Sequence, residues 1–137
     1  MTISDFKHEL KNWRFTRYKL VNFTIGFSAL LLYEFLGRPL YRPYIYRHKI
    51  YDFHIADTLG NSLGTIAAIF ISLALLTNGK PKGNPLLKLI TLVLVIYEIG
   101  QPLLGKPADI WDITATFLTG IVSYLIYNFA FKKNNKA

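Results

Sequence analysis

Two stretches decide the fold class of this chain: LITLVLVIY at residues 89–97 and IAAIFISLALL at residues 66–76. Neither stretch shows the polar face that a helix of a soluble protein presents to water. Helices that are apolar on all sides are typical of membrane spans, and a bilayer core of about 30 Å requires roughly 20 helical residues. The two stretches therefore favour an integral membrane protein over a soluble four-helix bundle, which is the alternative for such windows.

Four long apolar runs give the expected architecture. They cover residues 20–37, 53–77, 86–104 and 110–131. The turn-forming segment NGKPKGNP, residues 78–85, separates the first pair of runs from the second. We predict an all-α, integral membrane four-helix bundle built of two tandem helical hairpins. The connections are too short to contain a second domain.

The composition excludes several classes of chemistry. The 137 residues contain no cysteine, which excludes disulfides, thiol catalysis and cysteine-ligated metal. His8, His48 and His54 have no paired ligand spacing, and the chain lacks the HExxH motif. Ser and Thr residues have no His or Lys partner in a recognised catalytic spacing. We predict no cofactor and no dedicated metal site, although an oxygen-ligated divalent cation among acidic residues remains an alternative.

Two basic segments flank the apolar runs. Residues 1–19 are predicted to form an amphipathic helix with Phe6, Leu10 and Trp13 on one face, the pattern of a helix that lies in the headgroup layer. The other segment is the tail, residues 132–137. Basic residues beside membrane spans account for most of the net charge of +8, so we expect membrane lipid and no nucleic acid as a partner.

The distribution of Lys and Arg predicts the orientation in the membrane. Eleven of these residues lie in the N-terminal segment, in the connection between the hairpins with its flank, and in the tail, whereas five lie on the other side. Because positive residues concentrate on the cytoplasmic side, both termini are predicted to be cytoplasmic. The connections at residues 38–52 and 105–109 then face outward.

A short motif occurs twice, each time where one apolar run ends and the next begins. It consists of Tyr-Glu and two prolines, with the second proline nine residues after the Glu. The copies are Tyr33, Glu34, Pro39 and Pro43, and Tyr97, Glu98, Pro102 and Pro107. Six of the eight acidic residues accompany these copies, and ionisable groups in membrane spans usually face the bundle interior. The repeat indicates diverged hairpins with a functional region on one side of the membrane.

Polar residues form stripes at helical spacing on the runs that meet at this side. Asp57 and Asn61 lie on the second run, Glu98 and Gln101 on the third, and Asp112 on the fourth. Carboxylates that converge at one depth suit cation binding, proton exchange or general acid–base chemistry, and the sequence does not choose among these.

The same residues also have a purely structural interpretation. Asp52 and Asp109 stand directly before predicted helices and suit N-caps. The other acids suit ion pairs with Arg38, Arg42 and Lys106 that hold the helix ends. Small and hydroxyl residues on the stripes let helices approach closely, which explains them without a ligand.

The second copy of the motif resembles a known family. EIGQ at residues 98–101, followed by KPADIWDITAT at residues 106–116, is similar to the pattern of VanZ-like membrane proteins. That pattern is Glu-x-x-Gln at the end of one helix, a basic residue, and then Asp-x-x-Asp and Asn in the next. DTLGNSLG at residues 57–64 resembles the polar start of an earlier helix in the family. Lys106 stands where Arg is usual, and Thr116 where Asn is usual.

The resemblance, which covers about residues 52–130, implies a small protein of the bacterial cytoplasmic membrane, in a group associated with teicoplanin resistance. We expect it to bind a lipid or a lipid-linked amphiphile at an outward-facing acidic pocket. The expected site residues are Glu34, Asp57, Asn61, Glu98, Gln101, Lys106, Asp109 and Asp112. Two alternatives are an accessory subunit of a larger membrane protein complex and a small enzyme that uses paired carboxylates and a divalent cation.

Overall fold

The computed structural model describes residues 2–12, 14–77 and 80–131, which form helices and no strand. The all-α prediction is therefore confirmed. The helices are α1 (Ile3–Lys11), α2 (Arg17–Leu32), α3 (Arg42–His48), α4 (Ile55–Leu76), α5 (Lys80–Ile99) and α6 (Ile110–Ala130). A π-helical segment, Tyr33–Tyr41, joins α2 to α3, and a 3₁₀ turn, Gln101–Leu104, follows α5.

Three helical stretches within the described residues are long and apolar enough to cross a membrane. They are Arg17–His48, Ile55–Leu76 and Ile110–Ala130. Their surfaces expose large apolar side chains, among them Phe27, Leu125 and Phe129. Extensive apolar surface is unfavourable in water and is normal against lipid. The structure thus supports a membrane protein.

The first run departs most from the sequence-based prediction. Residues 38–52 were expected to form a connection, but the helix continues to His48, and residues 49–54 alone join it to α4. Pro39 does not end the helix because it lies in the π-helical segment. There each N–H bonds to the carbonyl five residues earlier, and not to the carbonyl four residues earlier with which a proline ring clashes in an α-helix. Pro43 lies at the start of α3, where the lost N–H costs little.

The connection predicted at residues 78–85 is also shorter than expected. α5 already begins at Lys80 and contains Pro85, which removes one backbone hydrogen bond near the helix start. α5 has 20 residues, but Lys82, Lys88 and Glu98 keep its composition more polar than that of the three apolar stretches. Residues 78 and 79 lie outside the described part of the chain.

Close helix contacts place α4 at the centre, against α2, α5 and α6. A Cβ atom added to Gly26 of α2 would lie 2.9 Å from the backbone nitrogen of Ile71. A Cβ atom added to Gly120 of α6 would overlap the methyl group of Thr91 on α5. Glycine at these positions therefore allows the helices to approach closely, as expected for the small residues of the polar stripes.

The core lies where α2 starts and where α4 and α6 end. The Tyr18 hydroxyl lies 2.7 Å from the Tyr127 hydroxyl and 2.9 Å from that of Thr77. Thr77 in turn donates to the Leu73 carbonyl at 2.7 Å. We call Tyr18, Thr77 and Tyr127 the tyrosine cluster. It packs with the buried residues Ile69, Phe70, Leu73, Leu86 and Leu87.

The terminal segments add little to the described fold. α1 contacts α4, which places the start of the chain beside the helix assembly. The side chains of Phe6, Leu10 and Trp13, predicted to form an apolar face, lie outside the described residues. The same holds for the basic tail, residues 132–137.

Candidate functional site

A cavity of about 130 Å³ lies between α4, α5 and α6, at the end of these helices that is remote from the tyrosine cluster. Most of the polar residues that line it belong to the predicted stripes. α4 supplies the amide of Asn61, and α5 supplies the carboxylate of Glu98. The lining residues are Gly60, Asn61, Gly64, Thr65, Leu94, Tyr97, Glu98 and Thr116. We call this space the acid cavity.

Helical spacing explains why these side chains meet. Asn61 and Thr65 are four residues apart on α4 and therefore share a face. The Thr65 hydroxyl donates to the Asn61 carbonyl at 2.6 Å, so its hydrogen is used within the helix. Thr116 of α6 is 2% exposed and closes the inner side. Asn61, Tyr97 and Glu98 are left as the polar side chains that can face a ligand.

Four carboxylates approach one another around the cavity. Glu98 of α5 lies within electrostatic range of Asp109 and Asp112, and Asp112 lies within range of Asp57. Like charges that are partly removed from water repel one another more strongly than charges in bulk water do. The arrangement therefore favours a ligand that brings a positive charge or several hydrogen-bond donors.

Two amides and one lysine face these carboxylates. Asn61 interacts with the Asp112 side chain, and Gln101 with that of Glu98. The Gln101 Oε1 atom is buried and has no hydrogen-bond partner. Lys106 lies within electrostatic range of Glu98 and follows Gly105, whose φ of 79° ends the 3₁₀ turn. The region thus retains an unused acceptor and an exposed positive charge beside the cavity.

Asp57 occupies the boundary between the acid cavity and the segment from α3 to α4. It accepts a hydrogen bond from the Tyr46 hydroxyl and lies 3.2 Å from Nδ1 of His54. The Arg42 guanidinium donates to the hydroxyls of Tyr33, at 3.3 Å, and Tyr46, at 3.4 Å. Asp57 also lines a neighbouring outer cavity of about 360 Å³. The pairing predicted for Arg42 is therefore made through tyrosine hydroxyls.

Two of the predicted acids have a clear structural role at helix starts. Asp109 Oδ1 accepts the Trp111 N–H at 2.9 Å, which confirms it as the N-cap of α6. Asp52 Oδ2 accepts the Ala56 N–H at 2.8 Å and the Tyr41 hydroxyl at 2.9 Å. Both carboxylates stabilise helix ends, and Asp109 also adds its charge to the acid cavity.

Glu34 lies apart from the other predicted site residues. Of these, Asn61 and Glu98 line the acid cavity itself. The Glu34 Oε2 atom lies 3.7 Å from Arg38 Nη1, and both side chains are largely exposed. This is the ion pair of the structural interpretation, one helical turn apart on the same segment. The first predicted hairpin therefore contributes Asp57 and Asn61 from α4 to the region, but not the Glu of its motif.

No sequence pattern signals the aromatic contact between the start of α4 and α6. The His54 ring stacks on Trp111, with centroids 4.3 Å apart and planes 19° apart. The roles of Tyr33 and Tyr46 do not follow from helical spacing either, because their partners Arg42 and Asp57 lie nine and eleven residues further along the chain.

The chemistry available at the site is that of carboxylates, amides and one lysine. Within residues 2–12, 14–77 and 80–131, no three His, Asp or Glu side chains are grouped closely enough to hold a metal ion. Carboxylates and amides at a small cavity suit the binding of amine or hydroxyl groups through hydrogen bonds.

Comparison of the chain with protein-family models, with curated proteins and with solved structures found no match. The similarity to VanZ-like proteins therefore rests on residues 57–64, 98–101 and 106–116.

Proposed function

We propose that this chain is a VanZ-like protein of the bacterial cytoplasmic membrane that binds a lipid or a lipid-linked amphiphile at the acid cavity. The observation that carries the proposal is the cavity itself, in which Asn61 and Glu98 face a small space within an assembly whose outer surface is apolar. An amphiphile meets both environments at once, with its head in the cavity and its chains against the helices.

The proposal includes α5 as a fourth membrane span. Leu92, Val93 and Ile96, in the middle of this helix, are all more than half exposed, which suits contact with lipid. Lys88 can extend its amine toward the nearer headgroup layer. With four spans the chain forms two tandem hairpins, and the excess of Lys and Arg puts both termini in the cytoplasm. The acid cavity then faces outward.

The size and charge of the cavity restrict the ligand group that enters. A volume of about 130 Å³ lies below the roughly 300–1,000 Å³ of pockets that hold a whole small-molecule ligand, so part of a headgroup enters rather than a whole lipid. Glu98 and Asp112 repel phosphate and attract amines or hydroxyls. Lys106 provides one position for an anionic group at the edge. A headgroup that bears an amine fits this pattern best, because an amine adds a charge opposite to that of the carboxylates.

Native mass spectrometry of the detergent-extracted protein tests the proposal. We expect the wild type to retain a lipid with an amine in its headgroup and Glu98→Gln to retain at least tenfold less of that lipid, because the amide keeps the shape but lacks the charge. Glu34→Gln is the matched control, since Glu34 is the equivalent residue in the first copy of the motif and lies away from the cavity. Equal retention of the amine-bearing lipid in wild type and Glu98→Gln would contradict the proposal.

Two other results would select the alternatives. A protein that co-purifies with the wild type and is lost in Glu98→Gln and Asp112→Asn would indicate an accessory subunit whose carboxylates hold helix ends against a partner. Stabilisation by Mg²⁺ or Ca²⁺ that disappears in Asp112→Asn would indicate a cation-dependent enzyme.

A further inference from the structure

A larger cavity of about 380 Å³ lies between α5 and α6 and shares no lining residue with the acid cavity. Its walls are mainly apolar and come from both helices. They include Leu92, Val95, Phe117 and Ile121, with Lys88 and Tyr124 at one end. We call this cavity the α5–α6 groove.

The groove extends along both helices and is mainly apolar. Lys88 to Val95 on α5 and Phe117 to Tyr124 on α6 each cover eight residues, or seven helical steps of about 1.5 Å, which is about 10 Å of helix. The base is the contact between Gly120 and the Thr91 methyl group. The Thr91 hydroxyl donates to the Leu87 carbonyl at 2.9 Å, so it is already hydrogen-bonded within its own helix. This shape suits an extended hydrocarbon chain.

Lys88 gives the groove a charged end. Its Nζ atom lies 5.6 Å from the centroid of the Tyr124 ring, and no carboxylate within the described part of the chain forms an ion pair with it. Lys88 is the ninth of the 20 residues of α5 and lies ten residues, about 15 Å, before Glu98 on the same helix. The groove therefore combines an apolar channel with a positive charge, remote from the acids.

We propose that the α5–α6 groove binds one acyl chain of an anionic phospholipid, whose phosphate lies at Lys88. The inference rests on α5 being a membrane span, as proposed above, but not on the acid cavity. An ammonium attracts phosphate as a point charge, and the neighbouring Tyr124 ring holds the amine near the groove.

The charge of the chain favours a lipid over a second copy of the same chain in this groove. The net charge is +8, so another copy would bring further positive charge toward Lys88. An anionic phospholipid supplies the negative charge and the hydrocarbon in one molecule.

The test titrates the detergent-purified protein with phosphatidylglycerol or phosphatidylcholine and measures bound lipid by native mass spectrometry. Leu92→Trp fills the groove, and we expect at least tenfold weaker binding of phosphatidylglycerol. Val93→Trp is its control, because Val93 is equally exposed (55% against 56%) but does not line the groove. Lys88→Gln should remove the preference for phosphatidylglycerol, whereas Lys7→Gln, an equal change of charge on α1, should not.

The outcomes separate this site from the acid cavity. Glu98→Gln should leave phosphatidylglycerol binding unchanged, so either proposal can fail without the other. Equal binding of the two lipids by the wild type would overturn the inference, as would equal effects of Leu92→Trp and Val93→Trp. The inference would also be overturned if the wild type forms a dimer that Leu92→Trp dissociates and that phosphatidylglycerol does not disrupt. That result would assign the groove to a second copy of the chain. Lys88→Gln alters an exposed side chain, so its result does not depend on refolding of the core.

Discussion

The tyrosine cluster and the acid cavity lie at opposite ends of the same helices, and both bring polar side chains together. At the tyrosine cluster, hydroxyls donate to one another over 2.7–2.9 Å, and Thr77 and Tyr127 are fully buried. At the acid cavity, Glu98 and Asp112 carry like charges and remain partly exposed. Polar groups that bond to each other stabilise a fold, whereas groups that repel each other favour a ligand. The predictions below test this division.

The largest expected effect is at the tyrosine cluster. A Cβ atom on Gly83 would overlap the Tyr127 hydroxyl and lie 2.6 Å from that of Tyr18. Because Tyr127 is fully buried, it cannot move aside freely, and we expect Gly83→Ala to lower the free energy of unfolding by about 2–3 kcal/mol. Unfolding in detergent, followed by circular dichroism, gives the value.

Gly64→Ala is the control at the other end. A Cβ atom on Gly64, which lines the acid cavity, meets nothing within 4 Å. Alanine also has a better helix propensity than glycine, by up to about 1 kcal/mol. We expect Gly64→Ala to be neutral or stabilising. Equal destabilisation by Gly83→Ala and Gly64→Ala would show that the tyrosine cluster and the acid cavity are packed equally tightly.

A smaller loss is expected when one hydroxyl is removed from the tyrosine cluster. Tyr127→Phe deletes the hydrogen bond to Tyr18 and should cost about 1 kcal/mol, while Tyr18 keeps its bond to Thr77. Tyr124→Phe, on the same helix but on its exposed side, should cost less than about 0.5 kcal/mol. Chemical denaturation of both variants measures the difference, and similar losses would contradict a structural role for the cluster.

At the acid cavity, removing a polar interaction should not lower the free energy of unfolding. Asp112→Asn keeps the shape, keeps an oxygen that can accept a hydrogen bond from Asn61 and removes repulsion from Asp57 and Asp109. We therefore expect unfolding free energy to stay the same or to rise by at most about 0.5 kcal/mol. Asp109→Ala, which removes the N-cap of α6, should instead lose about 1 kcal/mol. Destabilisation by Asp112→Asn as large as that of Asp109→Ala would make Asp112 structural.

The smallest effect concerns Glu34. Its exposed pair with Arg38, one helical turn away at 3.7 Å, should contribute about 0.3–0.5 kcal/mol. Glu34→Gln should show this loss at low salt and none at high salt, because salt screens exposed charges. Thermal unfolding at the two salt concentrations measures it. A salt-independent loss would mean that Glu34 has a buried partner.

The helices that sequence reasoning located best are α4 and α6. Each is a long apolar run between strong polar or turn-forming segments, and each lies within two residues of its predicted bounds. The first run was bounded wrongly because Pro39 normally ends a helix. The π-helical segment that accommodates Pro39 depends on hydrogen bonds between residues five apart, where an α-helix has them four apart. No residue pattern in this segment predicts that change.

The same segment explains why part of the site was predictable and part was not. Asp57, Asn61 and Asp112 lie on regular α-helices, so a spacing of three or four residues places them correctly. Glu34 lies in the π-helical segment, where α-helical spacing no longer gives the face. The contacts from Tyr46 to Asp57 and from His54 to Trp111 depend on the fold of the loop between α3 and α4. Periodicity does not describe such contacts.

The hydrogen bonds from Tyr41 to Asp52 and from Tyr46 to Asp57 join residues that are eleven apart in both cases. Both pairs enclose residues 49–51, the first half of the connection between α3 and α4. Surface loops generally tolerate inserted and deleted residues. Here a change of length by even one residue within 49–51 would move both aspartates relative to their tyrosines at once. Homologous chains that keep the two pairs should therefore vary in the composition of this connection but not in its length.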